Sequence, residues 1–142
     1  MAFTGNYTCN VFRTGLMNGT YNFTSGIFYI ALYTNAATLD ATTTAYTSTG
    51  EVVAAGYTAG GQALTITQTP TTGNAPNTTA YISFANASWN GMITARGALI
   101  YQSGAGNPAV CVLDFGSDKT SITSLTVQFP TADSANAIIR IT

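Results

Sequence analysis

Histidine is absent from this chain of 142 residues. With it go the commonest general base, the commonest transition-metal ligand and the one side chain whose unperturbed titration lies near neutrality. A Ser-His-Asp or Cys-His mechanism therefore cannot be assembled from these residues. Charge is nearly as scarce. Four Lys+Arg and five Asp+Glu give a net charge of −1 and only 6% charged residues, against about a quarter in an ordinary soluble domain. Four cations cannot neutralise a run of phosphates, which argues against nucleic-acid binding. Cys9 and Cys111, with no CxxC spacing, make neither a zinc site nor a disulfide framework, and both are expected reduced and packed as small apolar groups. No continuous apolar run long enough to span a membrane is found, and the N-terminus lacks the basic and apolar regions of a secretory leader. No membrane partner, metal or cofactor is expected.

What is present is apolar residue, 46% of the chain, together with abundant threonine. Threonine is stiff at its first side-chain torsion and favours strands, so the composition reads all-β. The length suits one domain spanning residues 1–142, large enough to bury a core without staples.

Along the chain, Phe12, Leu16 and Gly19 fall at helical spacing, with Asn10 placed to cap and Gly19 to end a short helix. Residues 1–22 thus form an N-terminal arm that either reaches onto a neighbour or packs as a short helix beneath the domain. The stretch Gly26 to Thr34 is apolar on both parities and predicts a strand covered on both faces. Residues 35–50 hold almost no large apolar anchor and read as a long ordered loop or a short helix followed by a loop. Leu64 and Ile66 alternate with Thr65 and Thr67 as in a half-buried strand, and Pro70 to Asn77 predicts an exposed turn. Further strands are expected at Tyr81–Ala85, Met92–Tyr101, Ala109–Phe115, Ser124–Pro130 and Ala137–Thr142, with Asn90-Gly91 the strongest tight-turn dipeptide. Short strands separated by turn chemistry point to an antiparallel β-sandwich or jelly roll with one short N-terminal helix.

Few residues are candidates for chemistry. Asp114 and Asp118, joined by Glu51, are the one set of carboxylates suited to a calcium ion, but further ligands in register are missing. The more economical expectation makes Asp118 and Lys119 turn residues. It has Asp114 hold backbone amides or pair with Arg96, for which Glu51 is the other possible partner. Glu51 and Asp114 as a glycosidase pair would need a cleft with converging polar groups, which five acids in the whole chain scarcely supply. No catalytic residue is assigned, and the expectation is a protein that is not an enzyme. Eight tyrosines and Trp89 offer either a glycan-stacking platform or, more in keeping with a β-sandwich, core and contact positions.

A chain with so little charge is suited to burying surface against copies of itself or a partner, because each desolvated charge would need compensation. Three segments run in a specific order: Glu51 to Gly61; Trp89 with Ile93 to Tyr101; and Val112 to Ser121. With the strand Phe28 to Thr34 ahead of them, they resemble a family of small tailed-bacteriophage virion structural proteins over about residues 27 to 142. The resemblance implies a capsid decoration (cement) subunit on the outer surface of the virion, assembled in the host cytoplasm. Its implied partners are the major capsid protein and copies of itself, with a homotrimer expected. The other placement it implies is a tail, baseplate or fibre component that contacts host glycans. It transfers no catalytic residue.

Overall fold

The computed structural model describes residues 3–73 and 78–142. Its architecture is antiparallel β with one short helix, a sandwich-like arrangement of sheets. In chain order the elements are β1 (Tyr7–Thr8), α1 (Asn10–Asn18), β2 (Phe28–Tyr33), β3 (Gln62–Leu64), β4 (Ile66–Thr72) and β5 (Ala80–Phe84). They are followed by β6 (Ala87–Asn90), β7 (Thr94–Gln102), β8 (Ala109–Thr120), β9 (Ser124–Val127) and β10 (Ile139–Ile141). A five-stranded sheet has the order β1-β8-β7-β2-β3, a three-stranded sheet the order β10-β5-β4, and β6 pairs with β9.

The central strands β2 and β7 are buried on both faces, as two-parity apolar runs require. An aromatic chain joins the sheets. Phe28 on β2 stacks on Phe23 at 4.4 Å between ring centroids, both lie near Phe84 of β5, and Phe23 meets Phe12 of the helix edge to face. Each such buried ring withdraws a large apolar area from water and adds about 0.5–1.5 kcal/mol of ring–ring attraction.

The arm packs on its own sandwich over the described residues. Tyr7 and Thr8 pair with Val112 and Cys111, Phe3 is buried, and α1 lays Phe12 into the core. Asn10 does not cap the helix. It is the first helical residue, the N-cap position is Cys9 without a side-chain bond, and the Asn10 N–H is taken by the carbonyl of Ala41. Gly19 does end the helix, in the left-handed conformation. Residues 35–50 form an ordered loop without a helix, because Asp40 accepts the Thr42 N–H and hydroxyl in a local turn that competes with helical bonding.

Three further expectations are corrected. The alternating run around Leu64 and Ile66 is broken at Thr65, so that Leu64 joins the five-stranded sheet and Ile66 the three-stranded one. Pro70, Thr71 and Thr72 belong to β4 rather than to a turn; residues 74–77 of the expected turn lie outside the described residues. Asn90-Gly91 does not connect a hairpin. β6 pairs with β9 and β7 with β8, so residues 87–102 and 109–127 form one long ribbon that bends at residues 91–93 and 121–123. Gly91 makes the bend possible: its φ is +139°, and a Cβ there would stand 2.3 Å from the Ala55 carbonyl oxygen.

Candidate functional site

Glu51, one of the two acids considered for a paired-carboxylate site, is buried in a cage of donors. Its Oε2 accepts the Tyr46 hydroxyl at 2.7 Å, and its Oε1 accepts the Tyr57 hydroxyl and the Gly60 N–H, each at 2.7 Å. Tyr57 also accepts the Leu32 N–H, and Tyr101 donates to the Gly60 carbonyl. Burial first, and then the bond to Glu51, pushes the Tyr46 phenol up to about 12; the same two causes raise Tyr57. Tyr101, raised to about 12 by burial and by the Glu51 charge, closes the cluster. The carboxylate therefore ties the turn at residues 58–61 and the loop before it to β2. Gly61 sits in that turn at φ +79°, where a Cβ would meet the Ile30 carbonyl at 1.8 Å.

Asp114 lies elsewhere. Glu51 bridges to Tyr33, Tyr33 pairs with Gly97, and Gly97 with Asp114. That is three strand spacings, on the order of 14 Å between backbones. The two acids hold separate sets of partners, which removes the arrangement a paired-carboxylate site needs. Asp114 pairs with Arg96 at 3.1 Å, as one of the two sequence-based options had it, and also accepts the Gly116 N–H. Opposite Arg96 the ribbon is irregular. Ala95 pairs with Lys119 and Gly97 with Asp114, so one residue faces the four from Phe115 to Asp118. Asp118 thus lies in a bulge of β8, and Lys119 is a strand residue rather than a turn residue. Among the described residues no group of three or more His, Cys, Asp or Glu could hold a metal ion.

Cys9 and Cys111 are both free and buried. Burial raises both thiols, Cys9 to about 11, so neither is a reactive thiolate at neutral pH. None of the eight tyrosines is exposed, and Trp89 is buried beside Tyr57. A glycan-stacking platform would need such rings at the surface.

An exposed apolar surface lies at the bend of the ribbon. Bonds from the Gly91 N–H to Thr123 and from the Ser121 N–H to Ile93 carry the ribbon register across the corner. Counting inward from Asn90 opposite Ser124 and Thr94 opposite Thr120 sets Met92 opposite Ile122. Both project outward, Met92 72% and Ile122 81% exposed. The loop pressed against Gly91 carries Val53, 97% exposed. Beside this corner, between the β8 bulge and β9, a groove of about 410 Å³ is lined by Phe115, Leu125 and Val127 with Lys119 at its edge. Among the described residues Met92 and Ile122 are thus two exposed large apolar side chains set opposite each other, with Val53 on the adjoining loop, while the exposed Met17, Ile27 and Ile141 lie elsewhere in the chain. Sequence reasoning missed the pair, although Ile122 stands alone in Thr120-Ser121-Ile122-Thr123-Ser124, where no core strand would place it.

No helix among the described residues is long and apolar enough to cross a membrane. The chain matches no protein-family model, no curated protein and no solved structure.

Proposed function

We propose that this protein is a structural subunit of a bacteriophage virion, a capsid decoration protein that grips the shell through the bend of its long ribbon. The observation that carries the reading is the exposed apolar pair Met92 and Ile122 at the bend, with exposed Val53 on the adjoining loop, on a molecule with very little charge. Burying such side chains contributes about 1.5–3 kcal/mol each, a weak hold singly. An ordinary contact of roughly 1,600 Å² in total, repeated over neighbouring sites, turns it into a strong one. The partners under this reading are the major capsid protein and further copies of this chain, and the mechanism is passive adhesion. The satisfied carboxylates Glu51 and Asp114 fit the same role, since both serve to stiffen the sandwich. The tail or fibre reading, with host glycans as ligand, draws less support because Trp89 is buried and the tyrosines are half-buried or buried rather than exposed.

The test is thermal. Particles stripped of this chain and heated in steps should release their genome at a lower temperature than intact ones, and adding the purified protein back should restore retention. Equal retention with and without the chain would refute the reading.

A further inference from the structure

A second surface lies near the other end of β8, away from the bend. The helix α1 starts where Cys9 bonds the Val110 carbonyl, close to the beginning of β8. Across from it runs β10, hydrogen-bonded to β5 on one side and, among the described residues, to no strand on the other. Between α1 and β10 a groove of about 510 Å³ opens, floored by Phe12, Leu16, Ile139 and Ile141. A strand edge with an open hydrogen-bonding side beside an apolar groove is the usual ground for adding a foreign strand.

Two of the chain's four cations, Arg13 and Arg140, line this groove, and no carboxylate side chain does. Among the described residues the one ion pair is Arg96 with Asp114, so neither groove arginine has a carboxylate within salt-bridge reach. Arg140 donates to the Ala135 carbonyl, which leaves further guanidinium donors. Nearby Asp133 accepts from the Asn136 side chain and from the backbone amides of Ala135 and Asn136, and the Arg140 charge helps these bonds hold its carboxyl below the usual range without a salt bridge. Asp40, on the loop that bonds α1 at Asn10, is taken by Thr42.

We propose that this groove receives an extended, acidic segment of a different protein, which adds as a strand to the open edge of β10 and places carboxylates against Arg13 and Arg140. A second copy of this chain is a poor occupant. Glu51 is buried, Asp114 is paired, Asp40 and Asp133 cap their own turns, and Asp118 stands alone in a bulge. No exposed strand of this molecule can therefore present two carboxylates. The inference uses a surface apart from the ribbon bend and does not depend on the decoration reading.

The experiment measures fluorescence anisotropy of labelled ten-residue peptides against the full chain. One peptide alternates Glu with Val, a second alternates Lys with Val, and a third has the Glu/Val composition interrupted by prolines so that it cannot pair as a strand. The Glu/Val peptide should bind, more weakly as salt rises, and both other peptides should bind at least tenfold more weakly. Arg13→Gln with Arg140→Gln, both at exposed positions, should weaken Glu/Val binding at least tenfold while leaving the melting temperature unchanged. Met92→Asp with Ile122→Asp should leave that binding intact. Equal binding of the Glu and Lys peptides, wild-type binding by the arginine variant, or no binding of any peptide would overturn the proposal. So would a stable dimer of the protein alone that the arginine variant abolishes, because the groove would then belong to a second copy.

Discussion

The neighbourhood of Glu51 and the bend at Met92 and Ile122 differ in what each has left to offer. Around Glu51 are gathered a carboxylate, several phenols and backbone amides, and the carboxylate is met by three donors. At the bend stand apolar side chains that are largely exposed. The reactive groups around Glu51 are used up in holding the fold, whereas the surface at the bend is open but chemically plain. In such a protein, function is sought where interactions are missing rather than where reactive groups are dense.

The sharpest way to break this contrast is at Glu51. Glu51→Ala leaves two phenols and the Gly60 N–H without their acceptor in a buried cluster. It should cost about 3 kcal/mol or more in unfolding free energy by urea denaturation. Glu51→Gln, which keeps an acceptor, should cost less. A second test concerns the pair at the bulge, whose side chains are 14% and 11% exposed. Asp114→Ala strands the Arg96 guanidinium and should cost about 2 kcal/mol. Replacing both together, Arg96→Met with Asp114→Leu, should cost less than the single change, because no unpaired charge then remains inside.

The tyrosines add a pH signature. Tyr46 and Tyr101 in the folded state lie at about 12 against an ordinary 10.0, so folding favours their neutral form. Their contribution is fully present below about pH 10 and is lost as pH rises through about 12. Urea midpoints should therefore fall over that window, in step with the phenolate absorbance. The smallest effect on stability is expected at the bend. Met92→Asp with Ile122→Asp changes only exposed side chains and should alter stability by no more than about 0.5 kcal/mol.

The sequence made the strand content, the covered strand around Ile30 and the end of the helix at Gly19 legible, because periodicity and a left-handed terminus are local properties. It also offered Asp114 as a partner for Arg96. What it did not reveal depends on tertiary context. Thr65 changes sheets although Leu64 and Ile66 alternate without a break, and Gly91 looks like a hairpin residue but bends a ribbon against the Ala55 carbonyl. The cage around Glu51 draws on residues as far apart as Tyr46 and Gly60, and only the fold brings the Met92 and Ile122 side chains to one corner.

The most direct measurement counts bound copies. Particles stripped of this chain are mixed with equal amounts of the wild type or the Met92→Asp, Ile122→Asp variant, washed, and the protein retained per particle is quantified by mass spectrometry. The account predicts recovery of the original copy number with wild type and near-complete loss with the variant, which remains folded. Equal retention of the two proteins would contradict it.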